Sequence, residues 1–188
     1  MNLWLRLLWV ALASFFRPRL GYLDESVLSF RVMPHDLDIN LHMNNARYLA
    51  LMDLGRTDMV LRTPLWRLVL GQRLQPVIAS ANVRFRRPLK PFQRFCLRSR
   101  LLAWDGRWLY IQHLIEADGA VACQAVVRGA LLRRGSVVPP AQLAEAVGYA
   151  GPAPAVPAWV DQLRDLDAGL DRQQQDNATR KEQQRCAR

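Results

Sequence analysis

Two Asp-Gly pairs, at 105–106 and 118–119, separate three strand-like stretches in the second half of the chain. Asp-Gly is a strong signal for a tight hairpin turn, because the favoured two-residue turns need positive φ angles. The stretches 92–104, 107–117 and 120–134 are therefore predicted to form an antiparallel meander. Apolar and basic residues alternate in the first of them, which indicates one buried face and one solvated face.

Two more strands are predicted outside the meander. One covers residues 25–33 and ends at Pro34, and the other covers 77–87. With a helix between these two strands, the order is strand, helix and four strands. This order predicts an α+β fold, in which a long central helix lies against a curved antiparallel sheet of about five strands.

The predicted helix follows Asn44 or Asn45, either of which can act as its N-cap. Apolar side chains recur at helical spacing from Tyr48 to Met59, with one polar strip. Gly55 in the middle of this pattern is unfavourable by about 1 kcal/mol relative to alanine. We therefore expect the helix to approach the sheet closely at Gly55.

The chain divides into four predicted segments. Residues 1–21 form an apolar N-terminal segment, and residues 22–150 form the α+β domain. Residues 151–170 comprise a proline-rich linker and a short helix. Residues 171–188 are rich in glutamine and charge and have almost no apolar side chains, which predicts disorder.

Residues 3–16 are strongly apolar but are interrupted by Arg6. They are too few to cross a bilayer, which needs about 20 apolar residues. Three interpretations remain open: a helix lying in the plane of a membrane interface, a helix packed on the protein's own core or a partner subunit, and a secretory signal cleaved at 11–13.

The charge balance indicates an anionic partner. The chain has 26 basic and 16 acidic residues, for a net charge of +10, which suits nucleic acid, a membrane surface or a phosphorylated small molecule. We do not predict a nucleic-acid partner, because no recognised motif and no interleaved aromatic residues are present.

The three cysteines, Cys96, Cys123 and Cys186, show no CxxC spacing and fit reduced thiols in a cytoplasmic protein. No metal site is predicted, because the spacing of His35 and His42 matches no common ligand pattern.

The stretch 34–49 concentrates carboxylates, histidines and asparagines just before the helix. A carboxylate at Asp38 would face the exposed amides of the first helical turn, which can hold a carbonyl oxygen as negative charge develops on it. This arrangement suits acyl transfer. The alternative interpretation is that Asp36 or Asp38 caps a turn, and that His42 and Asn44 only fix the loop.

The pattern of Asp36, Asp38, His42, Asn44, Asn45, Tyr48 and Leu49, followed by Asp53 and Arg56, resembles a family signature. It is similar to that of the hydroxybenzoyl-CoA thioesterase-like (4HBT-like) branch of the hotdog superfamily. His-Met-Asn-Asn-Ala-Arg-Tyr-Leu in particular resembles thioesterase-like proteins found from bacteria to mammals.

The resemblance implies a hotdog fold, a homodimer or homotetramer, and hydrolysis of acyl-CoA thioesters without a cofactor. It implies that Asp38 is the nucleophile or the base for water. The other candidate catalytic residues are His42, Asn44, Asn45 and Asp53. The family usually has glycine where this chain has Leu41.

Substrate-binding residues are also predicted. The acyl group is expected between the helix and a facing subunit, against Tyr48, Leu51 and Met52. Residues 84–104 hold seven basic side chains and no acidic one, and arginine pairs well with the phosphates of CoA. The candidate CoA ligands are Arg84, Arg86, Arg87 and Arg98. The alternative is a solvated sheet face or edge.

Two rival functions are considered. The hydratase branch of the fold uses Asp-x-Asn-Pro-x-His, and this chain lacks the proline and has a shorter spacing between Asp38 and His42. An enoyl-CoA hydratase is therefore disfavoured. Leu41 and the apolar N-terminus instead motivate a non-catalytic, membrane-associated module that binds acyl-CoA or lipid.

Overall fold

The computed structural model describes residues 2–186, which form two compact units that divide between Pro154 and Ala155. The sequence places this division at 150, a few residues earlier. The first unit contains the sheet and the central helix, and the second is one helix.

The elements of the first unit are, in chain order, α1 (Asn2–Phe16), β1 (Ser26–Arg31), a short 3-10 helix (Pro34–Asp36), α2 (Asn45–Arg62), α3 (Leu65–Gly71), β2 (Gln75–Phe85), β3 (Arg94–Trp104), β4 (Leu109–Ala117), β5 (Ala120–Arg133), β6 (Ser136–Val138) and α4 (Pro140–Ala146). The second unit is α5 (Ala158–Cys186).

The strands form one antiparallel sheet in the order β1-β3-β4-β5-β2, with β6 beside β5. The predicted meander is therefore confirmed as β3-β4-β5. Asp118 and Gly119 join β4 to β5 with φ angles of 50° and 74°, which is the backbone that the Asp-Gly signal requires. The α+β arrangement of one long helix on a curved sheet is confirmed as well.

The sixth strand, β6, is absent from the sequence prediction. It pairs with the end of β5 through a hairpin at Arg134 and Gly135, whose φ angles are 52° and 85°. The Arg-Gly pair is a weaker turn signal than Asp-Gly, because arginine is uncommon at positive φ. The three-residue strand is also too short to show an alternating pattern.

Gly55 lies where α2 meets the sheet. A Cβ atom at this position would overlap the hydroxyl oxygen of Ser99 and lie 3.1 Å from a methyl group of Leu97, both on β3. The close approach predicted for Gly55 is therefore confirmed. It brings the middle of α2 directly against β3.

Helix α1 is packed on the protein's own core. Val10 is fully buried, and Leu3 and Leu7 are partly buried against the core cluster around α2. No helix among the described residues is long and apolar enough to cross a membrane.

Two ion pairs attach α1 to the rest of the first unit. Arg6 pairs with Asp36, which comes just before the polar loop at 37–43. Arg17, just after α1, pairs with Asp58 of α2. Asp58 is completely buried and also accepts a hydrogen bond from Ser26 Oγ at 2.7 Å. The sequence does not single out Asp58, because two of its partners, Arg17 and Ser26, come from distant parts of the chain.

The C-terminal prediction differs from the structure. Helix α5 extends from Ala158 to Cys186, where the sequence predicts a helix only to 170 and disorder over 171–188. Glutamine, arginine, lysine, glutamate and alanine all favour helix, so a polar stretch of this composition can be helical without an apolar face. Residues 1 and 187–188 lie outside the described residues, as do the side chains of 2, 171, 174 and 178–188.

Candidate active site

The polar loop before α2 is a small hairpin. Asp36 O accepts the Asn44 amide, Leu37 and Met43 form a bridge, and Asp38 N donates to His42 O at 2.9 Å. The turn closes with a bond from the Leu41 amide to Asp38 O at 3.1 Å. These bonds fix the backbone of the loop on both sides of Asp38.

Asp38 occupies the first position of the turn and is half-buried. Its Oδ1 accepts the Asn40 amide at 2.9 Å, which is the local bond that aspartate makes in turns. Within the described part of the chain, Oδ2 has no hydrogen-bond donor. The turn-capping and catalytic interpretations are thus compatible, because one oxygen holds the loop and the other is available.

Leu41 has a φ angle of 56°. A three-residue hairpin loop ends in a left-handed residue that is commonly glycine. Leu41 adopts this left-handed conformation despite its side chain. The hairpin of this chain therefore closes with leucine at that position.

Asp36 supports the loop and is not exposed to substrate. Its carboxylate is buried, lies 2.7 Å from Arg6 Nη2 and accepts the Met33 amide at 2.9 Å. Arg47 lies at 3.8 Å on its other side. Asp36 thus holds α1, the loop and the start of α2 together.

The N-terminus of α2 faces the same loop. Asn44 is the N-cap, and its Oδ1 accepts the Ala46 amide at 2.9 Å. The Arg47 amide is bonded to Asn44 O. The Asn45 amide donates to no acceptor within residues 2–186, so it is the first-turn amide that could bind a carbonyl oxygen.

Tyr48 is buried at the start of α2, where its ring contacts Phe85 at the end of β2 with centroids 5.2 Å apart. Burial raises its pKa to about 12, and the negative charge of Asp38 adds to this effect. Tyr48 is therefore a neutral phenol close to Asp38. Leu51 and Met52, predicted with it to line the acyl site, are instead fully packed in the core.

A cavity lies farther along α2. It has a volume of about 300 Å³, and its walls are mostly apolar. Its lining includes Thr57 and Val60 of α2, Val77 of β2, Ile111 of β4 and Ala130 of β5. The second half of α2 therefore borders this cavity, while the first turn borders the loop.

Asp53 and Arg56 also line this cavity. They form an ion pair, and Arg56 Nη1 lies 3.1 Å from His113 Nε2. His113 Nδ1 lies 2.8 Å from Ser99 Oγ, and both of these residues are fully buried. A hydrogen-bonded row thus leads from the cavity wall into the core.

His113 is neutral in this row. Burial and, secondarily, the positive charge of Arg56 lower its pKa from 6.5 to about 3. The neutral imidazole can accept a hydrogen bond from the Arg56 guanidinium and donate one to Ser99. His113 therefore holds Arg56 in place at the cavity wall.

The predicted catalytic residues are not all brought together within one chain. Asp38, His42, Asn44 and Asn45 lie in or beside the loop, and the backbone carbonyl of His42 takes part in the turn. Asp53 lies eight residues into α2, which corresponds to about 12 Å along the helix axis. It belongs with the cavity.

The arginines predicted to bind CoA also lie in two separate places. Arg84, Arg86 and Arg87 are exposed at the Phe85 end of β2, where the amides of Arg86 and Arg87 bond to Ala122 O. Arg98 lies elsewhere, on the outer face of β3, where it pairs with Glu25 and Glu116. Among the described side chains, no three His, Cys, Asp or Glu residues converge to hold a metal ion.

Comparison with known proteins identifies the family. Residues 32–162 match the model of the thioesterase-like superfamily. The chain belongs to this superfamily. A curated relative, protein THEM6 of Danio rerio, is 34% identical over 132 residues, which make up 69% of this chain and 65% of the relative. The chain spans about half to two thirds of the length of the first curated relatives it matches.

Solved structures of thioesterases share the superfamily fold. The probable thioesterase YbaW of Escherichia coli aligns with a TM-score of 0.60 at 21% identity, covering 63% of this chain and 93% of YbaW. A thioesterase of Thermus thermophilus, solved with coenzyme A and zinc, aligns with a TM-score of 0.56 at 27% identity, covering 65% of this chain and 96% of that protein. The predicted hotdog fold is confirmed.

Ser99 and His113 are site residues that sequence reasoning missed in this superfamily member. Both occupy inward positions of strands, where apolar side chains are expected. The signal that could have identified them is a polar residue at an inward strand position that faces a glycine of the helix. Gly55 is noted in the sequence, but nothing there connects it to Ser99.

Proposed function

We propose that the protein hydrolyses acyl-CoA thioesters to a free acid and CoA, with Asp38 as the nucleophile or general base. The observation that carries this proposal is the position of Asp38. A hairpin holds this half-buried carboxylate just ahead of α2, with Oδ2 not hydrogen-bonded among the described residues and the Asn45 amide available beside the loop. The superfamily's thioester chemistry supplies the reaction class.

In the general-base route, Asp38 takes a proton from water, and the water oxygen attacks the thioester carbonyl carbon. The carbonyl electron pair moves to oxygen, where the amide at the start of α2 stabilises the charge. Collapse of this intermediate breaks the carbon–sulfur bond, and the thiolate takes the proton from Asp38. In the nucleophilic route, Asp38 attacks the carbonyl carbon, the carbon–sulfur bond breaks and CoA leaves as a thiolate. Water then hydrolyses the resulting anhydride, which releases the acid, regenerates the Asp38 carboxylate and supplies the proton that the thiolate takes up.

The proposed active site combines two subunits of a homodimer. Strand β2 is the last strand on its side of the sheet among the described residues, and most of its side chains are exposed. Such an edge is a template for pairing with another strand. Antiparallel pairing of two copies of β2 about a two-fold axis brings the Phe85 end of one against the Gln75 end of the other.

This pairing unites the separated halves of the site. The loop lies at the Phe85 end of β2, through the contact of Phe85 with Tyr48. The cavity lies at the other end, where Pro76, Val77 and Ile78 line it. Asp38 of one subunit would therefore act on an acyl group held in the cavity of its partner. A homotetramer would contain two such pairs.

The CoA phosphates are assigned to Arg84, Arg86 and Arg87. These exposed arginines share the Phe85 end of β2 with the loop, so they can approach the same ligand as Asp38. Arginine binds phosphate oxygens through paired N–H donors. Arg98 is left out of this assignment, because its ion pairs with Glu25 and Glu116 place it on the outer face of the sheet.

The direct test is release of free thiol from a panel of short, long and aromatic acyl-CoAs. Asp38→Asn should lower kcat by about 10²- to 10⁴-fold, because the amide oxygen can still hold the turn but cannot accept a proton or attack. Asp118→Asn in the β4–β5 turn is the matched control and should keep full activity. Unchanged activity in Asp38→Asn would remove Asp38 from the mechanism.

Mixing two inactive variants tests the composite site. Asp38→Asn disables the loop, and Thr57→Trp fills the cavity from α2. A mixed dimer contains one site built from an intact loop and an intact cavity, so about a quarter of the wild-type activity should return. A site contained within one subunit predicts no recovery.

Leu41 supports a second candidate function, the binding of acyl-CoA or lipid without turnover. Its side chain is exposed at the tip of the hairpin that carries Asp38, where the family usually has glycine and therefore no side chain. Saturable CoA binding without thiol release across the whole panel would favour this function. Thiol release from any acyl-CoA that depends on Asp38 would exclude it.

A further inference from the structure

Helix α1 exposes a large apolar face. Its outward positions follow helical spacing, and no charged side chain interrupts them. The seven residues, each more than half exposed, are Trp4, Leu5, Leu8, Trp9, Leu12, Phe15 and Phe16. Soluble monomers rarely expose contiguous apolar patches larger than a few hundred Å², and larger ones mark interaction sites.

The polar side chains of this segment point inward. Arg6 reaches Asp36, Ser14 is buried and bonds to the Ala11 carbonyl, and Arg17 reaches Asp58. This distribution is the reverse of an ordinary surface helix, whose polar face meets water. The inward arginines therefore fix which side of α1 remains exposed.

Rotation of α1 cannot hide the apolar face. The ion pairs hold the helix near its beginning and just beyond its end, and both partner carboxylates are buried. Turning the helix would take Arg6 from Asp36 and Arg17 from Asp58, and each buried carboxylate would keep fewer cations, which is unfavourable in a protein interior. The exposed face thus needs an external surface to cover it.

The composition of the segment fits a lipid surface. Arg6 and Arg17 are neutralised by their carboxylate partners, so the positive charge available to lipid is that of Arg19 and of the chain as a whole, whose net charge is +10. Tryptophan and phenylalanine favour the boundary between headgroups and acyl chains, and positive charge favours anionic lipid. With 15 residues, α1 is about 22 Å long, short of the roughly 30 Å hydrocarbon core.

We propose that α1 binds the surface of an anionic bilayer, lying in its plane with the outer face inserted and the inner face still packed on the protein. One face of the helix then belongs to the core of the folded domain, and the opposite face contacts the membrane. The Arg6–Asp36 pair places the membrane contact next to the loop that carries Asp38. The binding itself does not depend on the proposed catalysis.

The test is co-sedimentation of the full chain with vesicles of phosphatidylcholine alone or with about one third phosphatidylglycerol. We expect binding to the anionic vesicles that weakens with salt, with a blue shift of tryptophan fluorescence. Leu8→Gln and Leu12→Gln change the exposed face without changing the charge, and together they should weaken binding at least about tenfold. Leu70→Gln, which changes an exposed leucine on α3, is the matched control.

Two outcomes would overturn the proposal. One is equal sedimentation of the double variant and the wild type, since binding would then be electrostatic and independent of α1. The other is absence of vesicle binding together with a self-associated wild type that the double variant dissociates, which would assign the face to a second copy. Far-UV circular dichroism and thermal unfolding of each variant establish that the fold is retained.

Discussion

Arg6 Nη2 lies 2.7 Å from Asp36 Oδ2, and this ion pair joins the N-terminal helix to the loop of Asp38. Arg6→Met keeps much of the side chain's length but leaves the buried carboxylate with weaker partners. We expect the free energy of unfolding to fall by about 3 kcal/mol. Urea unfolding measures it, with Arg164→Met in the exposed Arg164–Asp161 pair as a control that should change stability by less than about 1 kcal/mol.

The α2–sheet contact predicts an unusual result for a glycine in a helix. Gly55→Ala should destabilise the protein by about 1 to 3 kcal/mol, because the new methyl group collides with Ser99 on β3. Gly169→Ala in α5, where no neighbour lies within 4 Å, should be neutral or stabilising. Thermal unfolding of both variants checks this. Recovery of stability in Gly55→Ala/Ser99→Ala would locate the collision, and its absence would contradict our explanation.

Leu41 offers the opposite case. Leu41→Gly should raise the free energy of unfolding by up to about 1 kcal/mol, since glycine accepts a φ angle of 56° without steric cost. Leu70→Gly in α3 should be destabilising by about the same amount, because glycine is unfavourable within helices. Chemical unfolding of the two variants measures both changes. An equal decrease in the free energy of unfolding in both variants would show that the left-handed conformation of Leu41 is not strained.

His113 should make stability depend on pH. Its pKa is about 3 in the folded protein, below the ordinary 6.5, so the unfolded chain binds a proton that the folded chain excludes. The contribution of neutral His113 to the free energy of unfolding is complete above pH 6.5. As the pH falls toward 3, the free energy of unfolding decreases by up to about 1.4 kcal/mol per pH unit. Chemical unfolding at several pH values measures the slope. His113→Gln should be less stable than the wild type at neutral pH, and its stability should depend less steeply on pH.

Local signals predict much of the fold. The Asp-Gly turns define the meander, Asn44 caps α2 where an N-cap is expected, and the alternation in β3 assigns its buried face. Each of these features depends on residues close together in the chain. The weak Arg134-Gly135 turn shows the limit of such signals, because the strand that follows it is only three residues long.

The site is less predictable, because its contacts join distant residues. Asp38 and its turn can be inferred from neighbouring residues. By contrast, two of the partners of Asp58 and both partners of His113 come from other elements. The cavity lies beyond the predicted Tyr48 to Met52 region, since its position depends on how the second half of α2 packs over the sheet. No local pattern encodes that packing.

The inward arginines of the N-terminal segment have a practical consequence for shortened forms of the protein. A chain that starts at Gly21 would lose Arg6 and Arg17 together and leave the carboxylates of Asp36 and Asp58 buried with fewer cations. Such a form is expected to aggregate or unfold whether or not the intact protein binds lipid. Its solubility would therefore say nothing about anchoring, and single-residue changes on the outside of α1 are the informative comparison.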